Sequence, residues 1–316
     1  MNRFLSILTA CLFLLILQKG NAQYFNKLHY WKKSPSEISV GIGVGNYLGE
    51  LGGGNGDKKP WLLDLELSQF KFSWQLGYRY NIGRYFATRL NFAWVKVAGS
   101  DALTTSPTRN YRNLSFKSNI YEGAILLDVF IIRAKPGHIH HYKGVKGQKG
   151  QPFEVFGFVG VGGFYYRSTS GGVALAGLST EGQGLEGGPK QYSPVSVSFP
   201  FGLGVNYVYY KDLKFGLDFT YRFTLTDYID DASGVYYDND KLREQKGDLS
   251  ADLADRSDGS NPSWTSEGSP RGNPKNNDHF FSIMINATYN LSALKKKSFR
   301  PGGKHSFNKR KRRLKF

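Results

Sequence analysis

Cysteine and long apolar runs are what this chain has least of. The 316 residues include a single cysteine, Cys11, and no apolar run beyond residue 22 is long enough for a membrane-spanning helix. If an N-terminal leader is removed, the mature chain has no cysteine, which excludes disulfides, thiol catalysis and cysteine metal sites. A transmembrane helix needs about 20 apolar residues, whereas a tilted strand needs only about 9–11. These absences exclude a helical membrane protein and leave a strand-built one open.

Residues 1–22 are predicted to be a secretory signal peptide. Arg3 supplies the positive charge, Leu5 to Leu17 the apolar core, and Gly20-Asn21-Ala22 a small-residue cleavage site. A lipoprotein cleavage box at Cys11 is the alternative, but this cysteine lies inside the apolar core rather than after it. A signal peptide on a cysteine-free, strand-rich chain indicates the envelope of a diderm bacterium.

The chain does contain many segments in which apolar and polar residues alternate. The clearest runs from Phe215 to Leu225, with one face aromatic or aliphatic and the other polar. Eight such segments are predicted, at residues 37–48, 69–81, 85–97, 116–132, 153–166, 194–209, 213–228 and 279–291. Their even number, aromatic faces and alternately long and short connections are typical of outer-membrane barrels. The sequence therefore predicts an all-β fold, an eight-stranded antiparallel transmembrane β-barrel in the outer membrane.

Details of the strands follow from the same alternation. In the fourth segment the parity slips near Ser118, which predicts a β-bulge; the faces of the glycine-rich fifth segment are not assigned. The residues predicted to face the interior include Lys71, Arg79, Arg89, Glu122, Asp128, Asp218 and Arg222. An eight-stranded barrel is just wide enough for its own side chains. We therefore expect an interior filled by opposite charges rather than a conducting pore.

The loop pattern predicts four parts and an orientation. The parts are a signal peptide (1–22), a periplasmic N-terminal segment (23–36), the barrel (37–291) and a basic periplasmic tail (292–316). Short turns at 81–84 and 210–212 are expected in the periplasm with both termini, and long loops outside. The link 133–152 departs from this pattern, since it is long but falls on the periplasmic side.

The chain has a net charge of +17, and its charged residues are distributed unevenly along the sequence. Residues 133–151 and 292–316 together contain sixteen Lys or Arg and no acid, whereas residues 230–278 contain eleven acids and six bases. Residues predicted to bind a partner are Lys309, Arg310, Lys311, Arg312 and Arg313. Anionic headgroups and an acidic protein are both candidates, and a solvated tail is the alternative. The secretory signal argues against nucleic acid.

The sequence contains little that indicates an enzyme, and we expect no catalytic residue, cofactor, metal or small-molecule substrate. His138, His140 and His141 are clustered, but no carboxylate or cysteine lies near them in the sequence. His279 and Ser282 are reminiscent of lipid-modifying barrels, yet residues three apart on a strand point to opposite faces. The Asp-rich segment 230–258 could bind calcium, but it lacks an EF-hand spacing, which favours a solvated loop.

Three short motifs carry a resemblance to a known family. They are Asn46-Tyr47-Leu48-Gly49-Glu50-Leu51-Gly52, Arg79-Tyr80-Asn81 and Thr226-Asp227-Tyr228-Ile229-Asp230-Asp231-Ala232-Ser233-Gly234. Together they resemble the PorG-type outer-membrane barrels of the Bacteroidetes type IX secretion system, over about residues 36–291. The resemblance implies a non-enzymatic barrel that associates in the periplasm with the ring of PorK lipoprotein and PorN. The family usually has Asp where this chain has Glu50.

A rim motif of Tyr47, Gly49, Glu50, Asp227, Tyr228, Asp230 and Asp231 is predicted where the first and seventh strands end. Alternation breaks just where the three aspartates appear. We expect their carboxylates to accept hydrogen bonds from backbone or tyrosine groups and so to fix the start of the long loop. Plain solvation is the alternative.

Overall fold

Eight long antiparallel strands close into a barrel. The computed structural model describes residues 35–49, 51, 69–104, 106–134, 151–210 and 212–291. The barrel strands are β1 (Ser36–Leu48), β2 (Lys71–Asn81), β3 (Phe86–Ser100), β4 (Ser115–Ile132), β5 (Phe153–Ser170), β7 (Val195–Tyr210), β8 (Leu213–Thr224) and β9 (His279–Asn290). The two-residue β6 (Val173–Ala174) folds back and pairs antiparallel with the end of β5. Each pairs with its neighbours along the chain, and β9 pairs with β1. The predicted fold class is confirmed.

The outer face of the barrel is apolar, as the alternation predicts. Val40, Leu90 and Ile285 are 54%, 55% and 64% exposed, whereas their neighbours along each strand are mostly buried. Phe281 also points outward but is covered by Phe70 and Phe219, whose ring centroids lie 5.9 and 5.7 Å from its own. A closed barrel with an apolar outer band satisfies its backbone internally and can span a bilayer.

The bulge predicted at Ser118 is wrong. From Phe116 to Phe130 the alternation of β4 is regular, and Phe116, Ser118 and Ile120 all point inward. The apolar residues face inward because the interior at this end of the barrel is a hydrophobic cluster, in which Phe116 packs against Tyr47 with a centroid distance of 4.8 Å. The register shift of β4 lies instead between Phe130 and Ile132.

The strand predicted for residues 213–228 is shorter than expected. It ends at Thr224, because the following residues bond to the barrel mouth instead of continuing the ladder. The Thr224 hydroxyl donates to the Asp278 carbonyl over 2.6 Å, and the Ile229 N–H donates to the Asp278 carboxylate over 2.8 Å. These bonds turn the chain inward across the opening.

Three long connections meet at one end of the barrel and form what we call the loop cap, residues 101–114, 171–194 and 225–278. It contains the helices α1 (Pro107–Arg112), α2 (Asn239–Lys246) and α3 (Asp248–Ala254). No helix in the described part of the chain is long and apolar enough to cross a membrane.

The short turns, the start of β1 and the end of β9 lie at the opposite end, where Leu291 N–H donates to the Ser36 carbonyl over 3.0 Å. The signal peptide, residue 50, most of the link 133–152 and the basic tail lie outside the described residues.

Candidate functional site

A chain of buried ion pairs fills the barrel interior near the short turns. Arg79 Nε donates to Asp128 Oδ2 over 2.6 Å, and Asp128 Oδ1 lies 3.0 Å from Arg89 Nη2. Arg89 Nη1 reaches Asp218 Oδ2 at 2.8 Å. The Phe156 ring lies beneath the Arg79 guanidinium, 4.4 Å from its central carbon. Alternating charges and an aromatic face thus stabilise each buried cation.

Three further ion pairs extend this interior network. Lys214 Nζ lies 2.8 Å from both Glu37 Oε1 and Glu154 Oε2. Further along the axis, Arg222 Nε donates to Glu122 Oε2 over 2.6 Å. Among the residues predicted to face inward, those found in buried ion pairs are Arg79, Arg89, Glu122, Asp128, Asp218 and Arg222, while Lys71 is half-buried. Charged side chains therefore fill the part of the barrel interior that would hold water in a wide pore.

The loop end of the barrel is closed by a different kind of cluster. The Tyr47 hydroxyl donates to Asp230 Oδ2 over 2.7 Å and also contacts Asp278 Oδ1. The other Asp278 oxygen accepts the Ile229 N–H over 2.8 Å. Tyr47 belongs to β1, whereas both aspartates belong to the loop between β8 and β9. One phenol therefore ties both ends of the longest loop to the barrel mouth.

Asp231 holds a second junction in the loop cap. Its φ of 65° places it in the left-handed region, which Asp tolerates better than most residues. Its carboxylate accepts the Thr180 hydroxyl over 2.6 Å and the Tyr192 hydroxyl. Tyr192 in turn stacks on Tyr228, with centroids 4.4 Å apart. Two separate loops are joined through this one carboxylate.

Two buried salt bridges complete the loop cap. Arg271 Nη1 lies 3.1 Å from Glu181 Oε1, which also accepts the Ser233 N–H over 2.9 Å. Arg112 donates twice to the Asp101 carboxylate, over 2.7 and 3.0 Å, and contacts the Arg271 carbonyl oxygen. The three connections of the loop cap are thereby joined to one another.

Asp278 and Asp231 accept hydrogen bonds from hydroxyl or N–H groups, and burial raises the pKa of both carboxyls. Burial raises the pKa of Asp278 well above its usual range, and the negative charge of Asp230 adds to this effect. Burial likewise raises the pKa of Asp231 to about 6, although Arg271 and the hydroxyls of Thr180 and Tyr192 oppose the shift. Burial and Asp231 raise the pKa of Tyr192.

The residues of the predicted rim motif lie together at the barrel mouth where they are described. Asp230 and Asp231 accept side-chain hydrogen bonds, from the hydroxyls of Tyr47 and Thr180 respectively. Asp227 is also buried. A Cβ at Gly49 would overlap the Tyr47 hydroxyl, so glycine is required there. Glu50 lies outside the described residues. The role of this motif as a functional site stays a prediction.

Sequence reasoning missed several residues that build the same site. They are Asp101, Arg112, Thr180, Glu181, Tyr192, Arg271 and Asp278. They come from loops without periodicity, and most meet partners more than 30 residues away. The closely spaced aspartates at 227, 230 and 231 were the one local signal of this site in the sequence.

The residues considered for an enzymatic role do not form a pair. Ser282 points into the barrel, where its hydroxyl accepts a hydrogen bond from Arg222 Nη1 over 2.9 Å. The His279 ring instead packs edge-on against Phe223, with centroids 4.8 Å apart. No cluster of three or more His, Cys, Asp or Glu side chains within the described residues has the arrangement of a metal site. His138, His140 and His141 lie outside them.

Comparison with known proteins gives a likeness at the level of solved structures. No family model matches the chain, and no curated protein matches it. Neisserial surface protein A is 7% identical, with a TM-score of 0.37 over 81% of this chain and 97% of that chain. The outer membrane protein OprG from Pseudomonas aeruginosa is 11% identical, with a TM-score of 0.36 over 81% and 96%. Ail of Yersinia pestis is 11% identical, with a TM-score of 0.34 over 81% and 97%. Likenesses at this level say nothing about what this chain binds.

Proposed function

We propose that this protein is a non-enzymatic outer-membrane barrel that anchors the type IX secretion machinery and docks on its periplasmic ring of PorK and PorN. We also propose that the barrel does not conduct. The observation that supports this is the interior filled by ion pairs, such as Arg79 with Asp128 and Arg222 with Glu122. A barrel of this width filled by its own side chains is suited to a scaffold rather than to a conduit.

The docking part of the proposal is supported by charge and by the resemblance to PorG-type barrels. Residues 133–151 and 292–316 bring sixteen cations without an acid to the side that the proposed orientation places in the periplasm. Long-range attraction to an acidic partner speeds encounter and fades with salt, because the Debye length is about 8 Å at physiological ionic strength. The cations of 309–313 are the proposed contact.

Deletion of Lys309 to Phe316 tests this docking. The barrel should still fold, because the deleted residues lie beyond β9, while co-purification of the ring proteins from detergent-solubilised envelopes should fall. Raising salt should have the same effect on the intact protein. A control replaces Lys190, Lys241 and Lys275 of the loop cap with Gln and should leave recovery unchanged. Full recovery of PorK and PorN by the truncated protein at low salt would exclude the tail as the docking element.

The second candidate is a general small barrel with an envelope-structural or adhesive role. Its support is the folded loop cap, which exposes large apolar side chains such as Leu249 and Trp264. If no ring protein co-purifies with the intact chain, while cells lacking it lose surface attachment or envelope integrity, this candidate replaces the first.

A further inference from the structure

Three cations line the lipid-facing side of β3, β4 and β5 near the loop cap. Lys96 pairs in register with Asn119, and Asn119 with Arg167, so these residues form one row across the three strands. Lys117 lies two residues before Asn119 on β4. Lys117 and Arg167 are exposed and Lys96 is half-exposed. Within the described residues, none of the three cationic groups has an ion pair, and the outward positions of these strands contain no acid.

An aromatic row lies directly beneath the cations. Trp94 pairs in register with Tyr121 and Tyr121 with Tyr165, whose ring centroids are 6.4 Å apart. Tryptophan and tyrosine at this position mark the boundary between hydrocarbon and headgroups. The cations therefore lie at the depth of lipid headgroups, one step beyond the apolar band.

A groove opens beneath the aromatic row. Its floor is the glycine pair Gly123 and Gly163, which face each other in register and point outward. A Cβ at either position would meet no atom within 4 Å. Phe92 and Val197 continue the row on both sides, and the groove measures about 700 Å³. Four residues along a strand span about 13 Å, so the groove lies within the hydrocarbon below the cations.

We propose that this face is a specific binding site for a phosphate-bearing lipid of the leaflet next to the loop cap. Lys96, Lys117 and Arg167 contact the phosphate, and one acyl chain lies over Gly123 and Gly163. The position within the hydrocarbon requires a hydrocarbon occupant, and three cations without an acid select an anionic headgroup. Each cation near such a headgroup contributes modestly, so the three act together with the groove. The site is independent of any secretion partner.

Lipid binding to the full-length protein in detergent, measured by native mass spectrometry, tests the proposal. The probe is dipalmitoyl phosphatidic acid; dipalmitoylglycerol, which lacks the phosphate, and inorganic phosphate, which lacks the chains, are compared with it. Phosphatidic acid should bind at least about tenfold more tightly than either, because only it meets both halves of the site. Equal binding of dipalmitoylglycerol would overturn the role of the cations.

Substitutions separate the two halves. The triple variant Lys96→Gln, Lys117→Gln, Arg167→Gln should weaken phosphatidic acid binding about tenfold and leave dipalmitoylglycerol unchanged. The control variant Lys190→Gln, Lys241→Gln, Lys275→Gln has the same net charge and should bind as wild type. If both triple variants lose binding equally, the attraction is a general effect of charge and the site is refuted.

The groove has its own pair of variants. Gly163→Leu fills it and should weaken both lipids, whereas Gly157→Leu on the same outer face of β5 should not. Heat-modifiable migration checks that each variant is folded, and the single variants Lys117→Gln and Arg167→Gln change only exposed side chains. Unchanged lipid binding by Gly163→Leu would show that no acyl chain occupies the groove.

Discussion

The barrel interior and the barrel mouth both bury carboxylates, but the groups that bond to these carboxylates differ. In the interior, Asp128 lies between Arg79 and Arg89 at 2.6 and 3.0 Å. At the mouth, Asp230 and Asp278 share the hydroxyl of Tyr47 and also accept backbone N–H groups. The interior therefore cancels each charge with an opposite one, whereas the mouth surrounds charges with neutral donors.

The two kinds of partner make the two regions respond to different changes. A buried charge with a fixed counter-ion is costly to disturb, because removal of one partner leaves the other uncompensated. A buried carboxylate without a paired cation takes up a proton more readily, because burial disfavours its charged form. We therefore expect the barrel to be sensitive to mutation and the loop cap to be sensitive to pH.

The largest effect is expected from breaking an interior pair. Arg222 is fully buried, and besides Glu122 it contacts Ser282 over 2.9 Å and the Phe280 ring. Arg222→Met keeps much of the volume but leaves the Glu122 charge without its cation. The free energy of unfolding should fall by about 3–5 kcal/mol. Urea titration in lipid vesicles measures it.

The matched control for Arg222→Met neutralises both partners. Glu122→Gln with Arg222→Met should recover most of the lost stability, because the glutamine amide can still bond to Ser198, whose hydroxyl lies 2.6 Å from Glu122 Oε1. A single variant that is as stable as wild type would show that this pair contributes little, and the contrast with the loop cap would be lost.

A smaller effect is expected at the mouth. Tyr47→Phe removes the hydroxyl shared by Asp230 and Asp278 and leaves two buried carboxylates without that donor. The loop cap should open more easily by about 1–3 kcal/mol, while unfolding of the barrel stays nearly unchanged. Limited proteolysis of residues 230–278 reports the opening. Phe116→Leu, which alters the ring packed against Tyr47, is the packing control. Equal cleavage of Tyr47→Phe and wild type would contradict the role of the hydroxyl.

The outer face of the barrel was predictable because a strand in lipid has only one pattern to satisfy. Apolar residues at every second position place Val195, Leu203 and Tyr209 outward, and the structure agrees. The same rule failed at Phe116 and Ile120, where the interior is itself apolar. Alternation tells which side a residue faces, but it does not tell what that side contains.

The contacts inside the barrel and in the loop cap could be predicted only in part. Opposite charges on inward positions indicated ion pairs, yet the pairing of Arg89 with Asp218 depends on the curvature that brings β3 across to β8. The loop cap was harder, since Tyr47 and Asp278 are 231 residues apart. A loop described from sequence as solvated and acidic is in fact folded around buried aspartates, and no local periodicity announces such contacts.

The smallest expected effect is the pH response of the loop cap at Asp231. Its pKa in the folded protein is about 6, above its ordinary value of 3.8, so the folded state holds a proton that the unfolded state releases. The resulting stability is present at low pH and is lost as pH rises from about 4 through 6. Arg271 and Glu181 are the charged groups facing this carboxylate, and their effects on the shift oppose each other. Between pH 5 and 7.5 the loop cap should weaken by roughly 1 kcal/mol, seen as faster proteolysis of residues 230–278 at the higher pH.

Asp231→Asn keeps the left-handed backbone and cannot titrate, so it should reduce this pH dependence, leaving the part due to Asp278. The exposed residue Asp252, changed to Asn, is the control and should keep the full response. If cleavage of wild type and Asp231→Asn changes with pH to the same extent, after correction for the protease's own pH profile, Asp231 is not a source of the response, and the raised pKa of Asp278 must account for it alone.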